Sequence, residues 1–254
     1  MRFNQRNLFI ASVLTSLGMV LHITAFAGDK DSAENIHLAK SITAVRTTAG
    51  GGHSKSVVTL MAVYDSLHLN DLGLNPKVFK MALKGMEKLR KMGKLANDRI
   101  ISIVDFSQPS VQKRLYVIDV ENCVLLYNTL VAHGMKSGKE KALAFSNKLS
   151  SNKSSLGFYV TSRTYNGNNG YSLRLQGCEK GFNDNAAKRA IVVHGADYVN
   201  EDYINSQGYI GRSQGCPALP PALCKPLIND IKDGTCLFIY HPNPVYLSKS
   251  KLVK

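Results

Sequence analysis

The sequence is short of acidic residues. It has 18 aspartates and glutamates against 32 lysines and arginines in 254 residues, which gives a formal net charge of +14 at pH 7. A surplus of this size predicts an anionic partner. No zinc-finger spacing, RRM-type aromatic motif or long basic run is present, so nucleic acid is not the partner we expect. We expect instead contact with an anionic cell-wall or membrane surface.

Long apolar runs are also scarce. The longest, Leu8 to Ile23, is shorter than the roughly 20 residues that a spanning helix needs. It follows Arg2 and Arg6 and is followed by the small-residue sequence AFA, which ends at Ala27. This order is typical of a secretory signal peptide, with a membrane anchor as the alternative interpretation. We expect residues 1–27 to be removed near Ala27 and the protein to be exported to the periplasm or secreted.

Motifs for metal or nucleotide chemistry are missing. There is no H-E-x-x-H or C-x-x-C, and the seven histidines are scattered without ligand spacing. The glycine-rich stretch TTAGGGHSKS lacks the spacing of a phosphate-binding loop. We therefore expect no metal and no cofactor.

Five cysteines occur in a chain that we expect to reach an oxidising compartment. They are Cys123, Cys178, Cys216, Cys224 and Cys236. An odd number leaves one unpaired, and if that one is Cys216 the other four allow three connectivities. Buried free thiols are the alternative. The oligomeric state is not readable from the sequence.

The chain divides into a short polar and helical region and a longer β-rich one. Residues 28–95 read as a linker followed by the helix NPKVFKMALKGMEKLRKMG, with Asn75 as N-cap, Pro76 in the first turn and Gly93 as the stop. Its apolar residues recur at helical spacing and predict one buried stripe: Phe79, Ala82, Leu83, Met86 and Leu89.

Residues 100–245 predict a mostly β domain. The segments are short, rich in β-branched and aromatic residues and separated by turn signals: IISIVD, RLYVIDV, VLLYNTLVAHG, LGFYVTS, YSLRLQG, AIVVHG and CLFIYH. One or two short helices are expected in PALPPALCKPLINDIKDG, between the last two strands.

Cys216 lies in an unusual setting for a core cysteine. The triplet Gly215-Cys216-Pro217 predicts a tight turn that presents a thiol together with backbone N–H groups. His194 ends the apolar segment AIVVHG. A histidine that accepts the thiol proton would make Cys216 a nucleophile. The N–H groups of Gln214, Gly215 and Cys216 would then face an oxyanion.

Six motifs in order resemble the murein L,D-transpeptidase catalytic-domain family, the YkuD-like group. They are VAHG at 131–134, FSN at 145–147, SSLGFY at 154–159, GYSLRLQG at 170–177, VVHGADYV at 192–199 and GRSQGCPA at 211–218. The resemblance runs from about Asp105 to Tyr240. It implies a YkuD-like β-sandwich with short helices, preceded by a small α-helical amino-terminal region.

The resemblance also implies an activity. Members of the family are cysteine-dependent L,D-transpeptidases that act on peptidoglycan stem peptides through a covalent acyl-enzyme. Carried over by position, Cys216 is the nucleophile and His194 its base. The alternatives are an L,D-carboxypeptidase or endopeptidase of the same fold, a hydrolase, and a catalytically silent peptidoglycan-binding protein. The last is motivated by Gln214, where the larger family usually has histidine.

Further candidates surround this pair. Ser213 orients the imidazole through its hydroxyl, or else a backbone carbonyl after His194 does so. Arg212 and Arg174 are candidate clamps for substrate carboxylates. Two other candidates for contact with substrate are His133, at a strand end, and Tyr171.

Overall fold

The computed structural model describes residues 57–254, so the expected signal peptide and most of the expected linker lie outside the described residues. Five helices are present in that part of the chain: α1 (Val57–Ser66), α2 (Pro76–Lys91), α3 (Glu201–Gln207), α4 (Pro221–Ile231) and α5 (Pro244–Lys249). The eight strands are β1 (Ile100–Asp105), β2 (Leu115–Asp119), β3 (Val124–Thr129), β4 (Gly157–Gly167), β5 (Gly170–Gly177), β6 (Val192–Gly195), β7 (Ala218–Leu219) and β8 (Cys236–Tyr240).

The helix α2 forms where the capping signals predict it. The Asn75 side chain accepts a hydrogen bond from the backbone N–H of Lys77, and Pro76 occupies the first turn. All five residues of the predicted stripe are buried. Gly85 lies within the buried face of the helix, and the ring of Phe158 from β4 occupies the space that a side chain at Gly85 would fill. The helix is therefore part of the core of the β domain.

All eight strands belong to one sheet, in the order β3-β2-β1-β8-β4-β5-β6-β7. Its centre joins distant parts of the chain, because β1 pairs in parallel with β8, from Ile101 opposite Cys236 to Asp105 opposite Tyr240. On the far side, β5 pairs antiparallel with β6, and β6 pairs in parallel with the short β7.

The two ends of the sheet come close to each other. Ala132, just after β3, forms an antiparallel bridge with Ala218 of β7, and Gly134 forms a parallel bridge with Ser213. The sheet is thus nearly closed, and the segment that carries Cys216 lies at the closure. The fold is mostly β, with short helices, as the sequence predicted. No helix among the described residues has both the length and the apolarity to cross a membrane.

The predicted strands all form, with some differences in extent. The segment VLLYNTLVAHG is a regular strand only to Thr129, and single bridges continue it beyond that point. The region rich in proline yields one helix, α4, with Pro226 inside it. The two-residue β7 and the helix α3 were not predicted, because neither is long enough to show a periodic pattern.

Candidate functional site

Ser213 holds the turn that presents Cys216. Its buried hydroxyl donates a hydrogen bond to the carbonyl of Cys216 (2.6 Å) and accepts one from the N–H of Gly215 (3.0 Å). Gly215 has a φ of +124°, which glycine adopts readily and other residues rarely do. The predicted tight turn is therefore present, and one side chain fixes it from within.

The motifs that carry the resemblance meet at this turn. Ser213 N–H donates to the carbonyl of His133 (3.0 Å), and Met135 N–H donates to the carbonyl of Ser213 (2.7 Å). The Ser154 hydroxyl accepts from Gly134 N–H (3.0 Å) and donates to the carbonyl of Gly215 (3.3 Å). Three separate segments are thus joined around Cys216, two of them by backbone groups and the third through the Ser154 hydroxyl.

The Cys216 thiol is buried, with 9% of the residue exposed. Its Sγ lies 3.7 Å from the carbonyl oxygen of Ala190 and accepts from the N–H of Val192 (3.5 Å). Burial raises the pKa of the thiol, and the Val192 N–H and the charge of Arg189 act in the opposite direction. The thiol is therefore protonated at neutral pH.

His194 has one imidazole nitrogen engaged. Its Nδ1 lies 2.9 Å from the carbonyl oxygen of Gly195, and a carbonyl can only accept, so Nδ1 carries the proton. Nε2 then holds a lone pair. Burial lowers the pKa of His194, which keeps the ring neutral. Of the two ways of orienting the imidazole that the sequence left open, the backbone carbonyl is the one observed.

The thiol and the imidazole lie at neighbouring places on the sheet. His194 stands opposite Ala218 in the parallel pairing of β6 with β7, and Cys216 precedes Ala218 by two residues. Within the described part of the chain, no hydrogen bond joins Sγ to the imidazole. His194 thus lies on β6 and Cys216 in the turn that leads into β7, with the thiol turned toward Val192 at the start of β6.

A groove of about 600 Å³ opens beside His194. Its lining includes Asn168, Asn169, Tyr171, His194, Gly195, Ala196, Asp197, Tyr198, Tyr203, Pro221, Cys224 and Lys225. We call it the His194 groove. Cys216 is absent from this lining among the described residues, whereas Cys224 is present and its Cβ approaches Gly195 closely. The groove therefore borders the candidate base and not the candidate nucleophile.

The expected substrate contacts are distributed unevenly. Tyr171 lines the His194 groove, with its hydroxyl donating to Asn229 Oδ1 (2.8 Å). Arg212 is half-buried and donates to the carbonyl of Gly138 (3.2 Å). Arg174 is exposed, and its guanidinium lies 4.3 Å from the centre of the Tyr165 ring. Neither arginine lines the groove.

His133 departs from the expectation of a cleft residue. It is fully buried, and its Nδ1 accepts from Nη2 of the buried Arg114 (2.9 Å). Burial and the positive charge of Arg114 lower the pKa of His133 to about 3. Its side chain belongs to the interior, and its backbone carbonyl is what it contributes to the turn at Ser213.

Of the three backbone N–H groups that we expected to face an oxyanion, one already has an acceptor within the protein. The N–H of Gly215 is taken by the Ser213 hydroxyl. The N–H groups of Gln214 and Cys216 have no acceptor among the residues that the structure describes, and Gln214 is exposed. Two donors thus remain available at the turn.

Arg189 is a residue that sequence reasoning missed. Its guanidinium donates to the carbonyls of Ser146 and Lys153 and to the hydroxyl of Ser155. A Cβ on Gly215 would come within 3.0 Å of Arg189 Nη2, so the charge lies against the Cys216 turn. No local pattern in the sequence marks this arginine, because its contacts are all remote in the chain.

The cysteines are all free thiols: Cys123, Cys178, Cys216, Cys224 and Cys236. The sequence left open either two disulfide bonds with one free cysteine or free thiols throughout, and free thiols are observed. Among the described residues, no group of three or more histidine, cysteine and acidic side chains is placed to hold a metal ion.

Comparison with known proteins identifies the family. Residues 70–240 match the model of the L,D-transpeptidase catalytic domain, YkuD_2, and this chain belongs to that family. The match begins before the predicted domain start at residue 100 and takes in α2, consistent with the burial of that helix in the core. No curated protein matches the sequence.

Solved structures of the same class are similar to the chain at low identity. An L,D-transpeptidase from Mycobacterium smegmatis is 13% identical over 56% of this chain and 59% of that one, with a TM-score of 0.35. One from Stackebrandtia nassauensis is 16% identical over 81% and 86%, with a TM-score of 0.34. The helical cell shape determining protein Pgp2 from Campylobacter jejuni is 14% identical over 62% and 56%, with a TM-score of 0.39. The chain thus spans less than two thirds of the first and third of these structures.

Proposed function

We propose that the protein is a cysteine-dependent L,D-transpeptidase that acts on peptidoglycan stem peptides. The observation that carries the proposal is the turn fixed by Ser213, which sets Cys216 beside β6, the strand that contains His194. Family membership supplies the substrate class. Cys216 is the proposed nucleophile and His194 the proposed base.

The reaction proceeds in two covalent steps. Nε2 of His194 takes the thiol proton of Cys216, and the thiolate attacks a peptide carbonyl of the stem peptide. The N–H groups of Gln214 and Cys216 stabilise the oxyanion that forms. The leaving amine then takes the proton from the imidazolium, which leaves a thioester on Cys216. In the second step His194 removes a proton from an acceptor amine, which attacks the thioester carbonyl. The carbon–sulfur bond breaks, and the departing Cys216 thiolate takes the proton from the imidazolium, which completes the transfer.

Both reacting groups are neutral before substrate binds. Burial favours the protonated thiol of Cys216 and the unprotonated imidazole of His194. Catalytic hydrogen bonds are often absent in the unliganded state and form in the complex. We infer that the Cys216 side chain rotates from its contact with Ala190 and Val192 toward His194 when substrate enters.

A catalytically silent peptidoglycan-binding protein is the second candidate. The observation in its favour is the contact of the Cys216 thiol with Ala190 and Val192 and not with the imidazole. Gln214 also favours the catalytically silent protein, since glutamine cannot act as a base. A carboxypeptidase or endopeptidase differs from the transferase only in the acceptor, with water in place of the amine.

The proposal includes where the protein works. The apolar run from Leu8 to Ile23, followed by the AFA pattern that ends at Ala27, supports export to the periplasm or the exterior. Removal of residues 1–27 takes away Arg2 and Arg6 and no acidic residue, so the net charge falls from +14 to +12, which still supports contact with an anionic cell-wall or membrane surface.

Intact-mass spectrometry after incubation with a carbapenem tests the proposal. The strained ring carbonyl of the drug acylates an activated thiolate, so we expect one adduct on the peptide that contains Cys216. The adduct should be absent from Cys216→Ser and strongly reduced in His194→Ala. Labelling that persists in Cys216→Ser, or that does not depend on His194, would show ordinary thiol chemistry and favour the silent protein.

Cys224 provides the matched control, because its thiol lines the groove beside the same histidine. Cys224→Ser should label like the unchanged protein. A tetrapeptide stem with and without an acceptor amine then separates the activities: a new amide bond supports transfer, whereas release of the terminal residue without one supports hydrolysis.

A further inference from the structure

The segment between β3 and β4 carries an unusual combination of charge and apolar exposure. Residues 135–153, which we call the lysine loop, contain five lysines and a single acidic residue, Glu140. Four of the lysines are exposed: Lys136, Lys139, Lys141 and Lys148. None of these four forms an ion pair with a carboxylate in the described part of the chain. Lys139 Nζ lies 5.2 Å from the centre of the Tyr209 ring, and among the described residues all four ammonium groups lack a carboxylate partner that would neutralise their charge.

The same loop exposes aliphatic side chains to solvent. Leu143 is 71% exposed and Leu149 60%, the two highest values among the large hydrophobic residues that the structure describes. Met135, at the start of the loop, is 44% exposed. Exposed aliphatic side chains gain nothing by remaining in water, so their occurrence on the same loop as the exposed lysines favours an interaction surface.

The lysine loop is an ordered surface. Lys136 N–H donates to the carbonyl of Asn152 (3.0 Å), and Leu143 N–H donates to that of Ser137 (2.8 Å), so the start, middle and end of the loop contact one another. The Ser137 hydroxyl accepts from Ser154 N–H (2.9 Å). Arg189 holds the later part through the carbonyls of Ser146 and Lys153. The backbone that carries the exposed side chains is therefore held by hydrogen bonds within the protein.

We propose that the lysine loop docks the protein on an anionic lipid bilayer, with Leu143 and Leu149 entering the interface and the four lysines contacting headgroups. Lysines alone would suit any polyanion. The aliphatic side chains distinguish a bilayer, because they gain free energy only where apolar chains lie below the charge. The proposal does not depend on the catalytic assignment.

The lack of tryptophan in the chain permits a local test. Leu149→Trp introduces a single reporter in the full-length chain. Its fluorescence is recorded with vesicles of phosphatidylcholine alone and of phosphatidylcholine and phosphatidylglycerol in equal parts. We expect a blue shift with the anionic vesicles only. Met92→Trp, at an exposed site at the end of α2, is the matched control and should not shift.

Charge is tested in the same reporter background. Changing the four exposed lysines of the loop to glutamine should weaken vesicle binding by about 100- to 1,000-fold, at roughly 1 kcal/mol for each lysine. The matched control changes four exposed lysines elsewhere, Lys77, Lys80, Lys94 and Lys180, and should retain the shift.

Three results would overturn the assignment. The first is an unshifted Leu149→Trp spectrum with anionic vesicles, and the second is an equal shift at Met92→Trp. The third is binding of soluble polyphosphate through the loop lysines with no vesicle-induced shift, which would assign the loop to a charged polymer. Because tryptophan reports only its own surroundings, binding through the apolar segment Leu8 to Ile23 leaves this readout unchanged.

Discussion

The imidazole Nδ1 of His194 lies 2.9 Å from the carbonyl oxygen of Gly195, the next residue in the chain. A main-chain atom thus sets the tautomer of the proposed base, and no second side chain is needed to orient it. The arrangement leaves Nε2 as the only basic atom of the ring, and its availability depends on the ring staying neutral.

The pH dependence of acylation should reflect that requirement. Burial lowers the pKa of His194 from its usual 6.5, so the neutral ring persists below that pH. We expect the rate of carbapenem acylation to be level through neutral pH and to fall only as pH drops through the lowered pKa, below 6.5. The reaction is quenched at timed intervals between pH 4 and pH 8, and mass spectrometry of the adduct gives the acylation rate and the midpoint of its pH profile. A midpoint above 6.5 would contradict the buried, neutral ring.

Arg189→Gln should make the Cys216 thiol harder to ionise. The positive charge of Arg189 lowers a pKa that burial raises, so its removal leaves the burial effect less opposed. The rate of Cys216 alkylation by iodoacetamide, followed against pH by peptide mapping, should show a higher midpoint in the variant. Arg189→Lys keeps the charge and serves as the control. If Gln and Lys shift the midpoint equally, the effect is structural and not electrostatic.

Gly85→Ala should destabilise the fold although alanine favours helices. A Cβ at this position would lie 2.0 Å from Cζ of Phe158, and neither the helix nor the sheet can yield easily. Overpacking costs about 1–3 kcal/mol, against a helix-propensity gain of about 1 kcal/mol. Urea unfolding of the parent protein and of Gly85→Ala measures the difference in their free energies of unfolding. Phe158→Leu in the same chain should recover part of the loss, and a single variant more stable than the parent would refute the clash.

The buried pair of His133 and Arg114 should make the fold sensitive to acid. The pKa of His133 is about 3 in the folded state and about 6.5 when unfolded. The unfolded state therefore binds the proton first, and this contribution to stability, complete above pH 6.5, is lost as pH falls toward 3. His133→Asn keeps an acceptor for Arg114 without the titration. Its free energy of unfolding should fall less steeply over that range, and parallel curves for the two proteins would contradict the assignment.

Much of the fold could be predicted because its signals are local. Asn75 and Pro76 mark a helix start by capping chemistry, and each long strand shows its own β-branched pattern. The short β7 and the closure through Ala132 and Ala218 have no such signal, since they exist only once distant segments meet. The turn at Cys216 was predicted from Gly215 and Pro217, which restrict the backbone directly.

The surroundings of the candidate site were less accessible from the sequence. His133 ends a predicted strand just as His194 does, yet the first is packed against Arg114 and the second borders a groove. Their difference depends on which side chains pack over them, and that is set by β-strand order. Arg189 was missed for the same reason, because each of its partners lies more than thirty residues away in the chain.

The parallel pairing of β1 with β8 has a consequence for the order of assembly. Residues 101–105 find their partners only at 236–240, so the middle of the sheet stays open until residues 236–240 have been made. Pairings between such distant segments are slow to form, because the chain loses the entropy of closing a long loop before the stabilising contacts are made. Until β8 arrives, the edges of β1 and β4 remain unpaired and the hydrophobic core is incomplete. A chain cut short before Cys236 would therefore lack a fold, and not merely its last strand.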